Sequence, residues 1–597
     1  MPPRPTPDRF PERTLPRLLV ATARRAPERV FLRRVGPPGA GGETPRTLTF
    51  AQFAAGVGRT VEFLRAAGVA AGDRVLLLAA NSPEWQMMAL AAQILRAEPA
   101  ALFANLAAEP AAAIARRVRP RVVFVSGREP WEKLAPAAAE LAAAGLAVVV
   151  TPEALPAASL PVAVRAVPVT EVSGERAPGL SLAELAALAE QAGEEDPFLL
   201  LFTSGTTGRP KGVRLAQRTM VHALDYAQAT VGLGANDVGL HFLPYGHVAG
   251  HAQFALALAQ GHELLMVERR EEIELGFALR PTYLFSVPVV YERIRSAVER
   301  RIAALPAPLR GLVQGALEAA HRRRLHGSRR WRDRAGTWLA DRIVGRTVRA
   351  RLGGRVRALY AGGAPAPVPL FRFFEALGLP MVELYGMSET SGMISSNLLA
   401  GPRQEGCAGL VSPDHEVRFS ESGELLLRGP LLLSGFLEPE DEQDAWTADG
   451  FFRTGDLARR DERGQLWIEG RSKNLLMLST GKKLSPEPIE KAITAQEPFR
   501  GAILFGEARP FVAAAVFVER AALDRLAAAG REASSELLKR AHAALDAFSE
   551  YEKPKRLLVI PGEPQDYPDL LTPTLKIRRD ALLAWLGPAA VEIFGRP

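Results

Sequence analysis

The chain has 597 residues, 47% hydrophobic and 23% charged, an ordinary globular composition that excludes a disordered chain, a coiled coil or a small secreted scaffold. Its single cysteine, Cys407, excludes an internal disulfide framework or a cysteine-rich zinc site, and no apolar run is long enough for a transmembrane helix, which leads to an expected cytoplasmic location. The formal charge of +8 is concentrated: from Arg310 to Arg351 twelve arginines stand against three acids, so the remainder is close to neutral and nucleic acid is not the expected partner.

Residues 1–12 and 36–46 are rich in Pro and Gly and read as a loose terminus, without the apolar core of a signal peptide, and a loop. Between them, 15–33 predicts a helix, and apolar spacing predicts another from Thr49-Phe50 through Phe63. Gly72-Asp73 turns into a buried strand over 74–80, and Pro83 stands near the first turn of a helix to about Leu95. The rhythm continues with a strand over 121–126, a helix over 131–144 and a strand over 146–151. Ala-rich stretches such as 105–117 read as helices, because Ala is the best helix former. This alternation predicts an α/β fold with largely parallel sheets.

After about residue 405 the strands become short and their turns polar, at 416–419, 423–429 and 465–468, which predicts a small antiparallel or barrel-like subdomain. The last part predicts a small α+β domain with a strand over 513–518 and helices through 520–548. The expected boundaries are 1–470, including the β-rich part at about 405–470, and a mobile domain over 471–597.

The strongest local signal follows an apolar strand over 198–202 and reads Thr203, Ser204, Gly205, Thr206, Thr207, Gly208, Arg209, Pro210, Lys211. Glycines let backbone N–H groups converge on one anion, hydroxyls add donors, and Lys211 supplies a mobile cation for phosphate. The spacing is not that of a Walker A loop. This run closely resembles the signature loop of the AMP-forming adenylate synthetases, the superfamily of acyl-CoA synthetases, luciferases and peptide-synthetase adenylation domains.

Further segments resemble that superfamily's motifs in order. Leu243 to Gly250 resembles the one whose histidine, here His247, lies near the acyl carboxylate. Gly362-Gly363-Ala364-Pro365 is similar to the loop against adenine, and Glu383-Leu384-Tyr385-Gly386-Met387-Ser388-Glu389 to the next motif. The resemblance implies that Tyr385 stacks on adenine and that Glu389 holds Mg²⁺, a hard cation suited to one carboxylate plus phosphate oxygens. Ser388 stands where Thr is usual. Thr454-Gly455-Asp456 resembles the ribose-binding motif, and Gly470-Arg471-Ser472-Lys473-Asn474 the hinge motif. Arg471 would meet ribose or phosphate, Lys473 occupies the pivot, and Asn474 stands where Asp or Glu is common. Leu571-Thr572-Pro573-Thr574-Leu575-Lys576 resembles the C-terminal motif with the adenylation lysine, in the form of the long-chain acyl branch.

The resemblance implies ATP-dependent activation of a carboxylic acid to an acyl adenylate, with pyrophosphate release, then acyl transfer to coenzyme A. Between His241 and Leu258 no Asp or Glu is present to receive an ammonium, so an amino-acid substrate is not expected. The run from Arg280 to Ile294 and the basic insertion after it resemble bacterial long-chain fatty acyl-CoA synthetases. Alternatives are a ligase that loads an acyl-carrier protein and a catalytically silent scaffold. The insertion reads as a solvated Arg-rich helical face, or else as a surface over 310–351 that rests on anionic membrane at its inner face.

Overall fold

The computed structural model describes residues 9–36, 47–203, 209–400, 403–530, 532–572 and 576–595. It divides into two compact units, one of Met1–Glu416, Arg428–Phe452 and Arg463–Gln465, the other of Val417–Leu427, Arg453–Glu462 and Leu466–Pro597. The segments 417–427 and 453–462, read from sequence as part of the domain ending at 470, group here with the C-terminal residues.

The large unit carries two α/β sheets. In the first, Arg74–Leu78 lies between Glu98–Leu102 and Val122–Val125, all parallel. Val148–Thr151 and Arg165–Pro168 extend one side, and Pro197–Thr203 the other. Along Arg74–Leu78, Leu76 and Leu78 join Trp131 and the apolar side of Ala108–Val118 in one core, while Val75 and Leu77 are buried too. A strand covered on both faces has no polar side to show, hence its continuous apolar run. Lys211–Ala216 turns back antiparallel on Pro197–Thr203.

In the second sheet, Val30–Arg34, Glu263–Met266, Val238–His241, Tyr283–Ser286, Ala358–Ala361 and Met381–Tyr385 are parallel neighbours. Leu240, Leu284, Leu359 and Met381 pack with Tyr291, Phe374 and Leu377 from covering helices. Phe50–Ala66 starts at a capping box in which Thr49 and Gln52 satisfy each other's backbone N–H. Its buried Phe50, Phe53, Ala54, Val57, Val61 and Leu64 follow the three-to-four spacing of one helix face.

Three expected helices are shorter than the sequence reading. The first is Leu15–Arg25, not 15–33: Ala26 caps it before Pro27, and Val30–Arg34 enters the second sheet instead. The 131–144 segment is Arg128–Leu134, a 3₁₀ turn containing Pro136, then Ala138–Ala143. The 520–548 segment divides at Gly530, whose φ of +65 ends a helix turn.

In the small unit, Phe499–Phe505 and Arg556–Pro561 flank Ala513–Val518, antiparallel and parallel respectively. Period-two alternation gives the central strand two cores. Ala514, Val516 and Val518 face Ile489, Ile493 and Leu537, whereas Ala513, Ala515 and Phe517 face Leu582 and Ile593. Phe452–Arg460 and Gln465–Arg471 form an antiparallel pair. Two other short strands of the β-rich stretch join the large unit: Gly409–Val411 pairs with Ser395–Ser396, and Gly435–Phe436 with Lys211–Ala216.

Candidate active site

The large-unit motifs gather at the carboxyl ends of parallel strands, where open α/β sheets leave room for ligands. Leu243 to His247 follows Val238–His241, Gly362 to Pro365 follows Ala358–Ala361, and Gly386 to Glu389 follows Met381–Tyr385.

The first sheet meets these loops through Asn81, which follows Arg74–Leu78. Its Nδ2 donates to the Leu243 carbonyl at 2.8 Å and its Oδ1 accepts from the Tyr245 N–H at 3.1 Å. Gly246 is packed so closely that a Cβ there would stand 2.8 Å from the Phe103 nitrogen. His247 caps helix Val248–Gln260, its Nδ1 accepting from the Ala249 N–H at 3.1 Å, which puts the neutral ring's proton on Nε2. Beneath it, Tyr245 is fully buried among Trp85, His241 and His251. Burial pushes His241 down to about 4 and His251 to about 3, so both are neutral.

Glu383 is buried and its Oε1 accepts from the Ala366 N–H at 3.2 Å, which ties the Gly363, Ala364, Pro365 loop to the neighbouring strand. Gly363 has φ +78, open to glycine at no steric cost. Tyr385, half-buried, ends its strand opposite Ser395. Gly386 abuts the Gly392 carbonyl, where a Cβ would stand 2.5 Å away. Ser388–Thr390 is a single 3₁₀ turn held by the Thr390 hydroxyl, which accepts from the Met387 N–H at 3.0 Å. Ser388 and Glu389 are half-buried on this turn.

Thr203 and Lys211 stand directly opposite in the antiparallel ladder, at the two ends of the signature loop; Ser204, Gly205, Thr206, Thr207 and Gly208 lie outside the described residues. Lys211 Nζ is 3.6 Å from Asp441 Oδ1 and 5.4 Å from the Phe436 ring centre. Arg117 grips the Pro210 carbonyl at 2.8 Å and both oxygens of Glu438 at 2.5 and 2.6 Å. The strand Gly435–Phe436 lies against Lys211–Ala216, and just before it the Leu433 N–H donates to the Glu389 carbonyl at 2.8 Å. That segment therefore ties the Lys211 hairpin to the Glu389 turn.

The small unit holds its own group. Asp456 and Arg471 are paired across an antiparallel ladder, with Arg471 Nε 2.7 Å from Asp456 Oδ1. Thr454 and Gly455 are anchored on Leu425 and Glu424, and the Ser472 hydroxyl donates to the Gly455 carbonyl at 3.1 Å. Lys473 follows in a 3₁₀ turn; burial lowers its pKa, Arg471 adds to this, and Asp580 and Asp456 oppose it. Lys576 is exposed as a residue, yet crowding of its ammonium lowers its pKa, helped by Arg471 and opposed by Asp456. Thr572 and Lys576 exchange hydrogen bonds of 2.8 and 3.0 Å across the loop between them. Asn474, an unusual residue for its motif, donates to Glu487 Oε1 at 2.6 Å, a partner a carboxylate would repel.

Sequence reasoning brought out the residues with motif positions but missed their supports: Asn81, Arg117, Glu438, Asp441 and the Glu490–Arg579 pair. Asn81 stands at the helix start before Pro83, and no local pattern singles out the acids at 438–441. Their partners are 93 to 321 residues away for Arg117 and 230 or more for Asp441, beyond any local pattern.

Residues 19–437 match the family of AMP-binding enzymes, and residues 473–584 match the AMP-binding enzyme C-terminal domain. The chain belongs to the AMP-binding enzyme family. Among curated relatives, it is 30% identical over 541 residues to the long-chain-fatty-acid–CoA ligase FadD15 of Mycobacterium bovis, covering 86% of each chain. It is 28% identical over 520 residues to the long-chain-fatty-acid–CoA ligase heimdall of Drosophila melanogaster, covering 80% of this chain and 72% of the relative. Among solved structures, the A domain of carboxylic acid reductase from Segniliparus rugosus superposes with a TM-score of 0.73 at 20% identity, over 97% of this chain and 94% of that one. ATP-bound MatB from Rhodopseudomonas palustris gives 0.69 at 21%, over 96% and 99%. These likenesses establish the fold.

Proposed function

We propose that this protein is an AMP-forming ligase that activates a fatty acid, of the long-chain class, and passes the acyl group to coenzyme A. Its relatives named as long-chain-fatty-acid–CoA ligases support that substrate class. The observation that carries the chemistry is the grouping of Asp456, Arg471, Lys473 and Lys576 in one electrostatic neighbourhood.

In the first step a carboxylate oxygen of the acid attacks the α-phosphorus of ATP. The bond from that phosphorus to the bridging oxygen breaks, and pyrophosphate leaves with the electron pair. Negative charge grows on phosphate oxygens, so fixed donors and cations lower the barrier. Thr203, Ser204, Gly205, Thr206, Thr207, Gly208 and Lys211 would bind the phosphates, with Lys576 at the reacting group. Gly363, Ala364, Pro365, Glu383, Tyr385, Gly386 and Ser388 would hold adenine, and Asp456 and Arg471 the ribose side. His247, neutral with Nε2–H, would donate toward the carboxylate.

A magnesium ion fits Glu389. No group of three or more metal-ligating side chains occurs among the described residues, and a single half-buried carboxylate suits a hard cation that shares its other ligands with phosphate and water. Bound there, it would neutralise phosphate charge.

In the second step the thiol sulfur of coenzyme A attacks the acyl carbon, its proton is released to solvent, the bond from that carbon to the phosphate oxygen breaks, and AMP leaves with the electron pair. Lys473 would be the hinge between the two steps. The acid-free helix Val248–Gln260, with neutral His241 and His251, supports an uncharged acyl tail over an amino acid. No helix among the described residues is long and apolar enough to cross a membrane. Incubating the protein with a panel of acids, with and without coenzyme A, and measuring AMP and acyl-thioester tests this reading. Absence of acid-dependent AMP release would refute it, and thioester formation only on a carrier protein would replace the acceptor.

A further inference from the structure

The basic insertion is a helical hairpin, Ala307–His326 followed by Trp331–Ala340, with the π turn Asp341–Gly345 and Arg346–Arg351 behind it. Where its two helices meet, small residues line much of the seam: Ala316, Ala320 and Ala340 form a core with Ala376, and Gly336 lies flush against Ala319. Val313, Val344 and Val348 are buried in the core of the second sheet and Leu317 packs against it, but a second set of large apolar side chains stands outside. Trp331 is 72% exposed, Trp338 64%, Leu309 51%, Leu312 50% and Ile343 42%. These are five of the eleven large exposed hydrophobics among the described residues, within 35 positions. A purely charged, solvated face would not gather so many of the exposed large apolar side chains in one segment, and such a concentration marks an interaction surface.

The charges are sorted as well. Arg322 and Arg324 are structural. Arg322 Nη2 is 2.9 Å from buried Asp333, and Arg324 donates to the Ala376 carbonyl at 3.0 Å. Leu339 likewise packs inward. Asp341 is taken by Arg349 at 2.5 Å. Arg323, Arg329, Arg332, Arg334 and Arg342 are exposed and form no salt bridge among the described residues, while Arg330, also exposed, acts on Asp333 only at longer range. Two of them lie by the tryptophans, Arg332 at 5.6 Å from the Trp331 ring centre and Arg342 at 6.0 Å from that of Trp338. Trp331 and Trp338 are seven residues apart, hence on one helix face.

We propose that this hairpin docks on the surface of an anionic phospholipid bilayer. The arginines complement lipid phosphates, the indoles suit the headgroup zone, and Leu309, Leu312 and Ile343 gain by leaving water at the acyl boundary. Nucleic acid would use the arginines but not the aliphatic side chains. A symmetric contact with a second copy would set arginine against arginine.

The full-length protein should float with vesicles of phosphatidylcholine plus phosphatidylglycerol, not with phosphatidylcholine alone, and salt should release it. Arg323→Gln, Arg329→Gln, Arg330→Gln and Arg332→Gln together should weaken binding about tenfold or more, since each basic residue near such a surface contributes severalfold. Lipids brominated on their acyl chains should quench tryptophan emission, and Trp331→Phe with Trp338→Phe should abolish that quenching while vesicle binding persists. Unchanged thermal midpoints would show that both variants fold. No binding to anionic vesicles at low salt overturns the proposal, as does binding that ignores the arginine variant. Equal retention on a DNA duplex, or a dimer that dissolves in the tryptophan variant, would assign the surface elsewhere and overturn it too.

Discussion

Glu490 Oε1 lies 2.7 Å from Arg579 Nη2, joining the helix Pro486–Thr494 to the segment just after Lys576. The same oxygen accepts the Leu504 N–H at 2.6 Å, and Arg579 also donates to the Leu504 carbonyl. Three elements of the small unit thus meet on one buried carboxylate, and the loop that bears Lys576 starts from a fixed point.

Burial pushes the Glu490 carboxyl up from 4.5 to about 7, against the pull of Arg579. A group raised in the folded state stabilises fully below its unfolded value and loses that contribution as pH rises through the folded one. The small unit should therefore lose on the order of 1–3 kcal/mol between about pH 4.5 and pH 7 from this group. In Glu490→Gln the decline should be shallower, as measured by thermal or urea unfolding at a series of pH values. An unchanged slope would show that Glu490 titrates normally.

Lys576→Ala should reduce adenylate formation about 10²–10³-fold, the usual loss on removing one preorganised donor, and spare thioester formation from supplied acyl adenylate. Single-turnover assays of each half-reaction separate the two. Equal loss in both would place Lys576 outside the first step.

Asp456 raises and Arg471 lowers the Lys576 pKa. At saturating ATP, Arg471→Gln should shift the alkaline limb of the first half-reaction to higher pH, and Asp456→Asn should shift it to lower pH. Both variants should also raise KM for ATP. Limbs that do not move, or move in one direction together, would mean another group sets them.

Glu389→Gln should raise the magnesium concentration needed for half-maximal adenylation by about tenfold, because a neutral amide is a poorer ligand for a hard cation. Acid binding without nucleotide should be unchanged. A titration curve that matches wild type would remove Glu389 from the metal site.

Local pattern alone was enough for much of this protein. Thr49 and Gln52 mark a helix start wherever that helix lands, and the glycines and hydroxyls from Thr203 to Lys211 specify an anion-binding turn from their own chemistry. The alternation of apolar runs with helical segments determined parallel sheets, since strands buried on both faces must be apolar throughout. Other features depend on partners far away in the chain. Val30–Arg34 is a strand because Glu263–Met266 and Thr47–Thr49 receive its hydrogen bonds, not because its residues demand it. Lys211 faces Asp441, and Asn81 holds the Leu243 loop, through contacts that span 160 residues or more. In the 310–351 hairpin, composition announced the charge, but only packing decided which arginines turn inward to carbonyls and acids and which remain outside with the tryptophans. Helical periodicity ranks faces by hydrophobicity. Where alanines line much of the seam and tryptophans stand outside, that ranking does not decide which side chains are buried, and tertiary contact settles it.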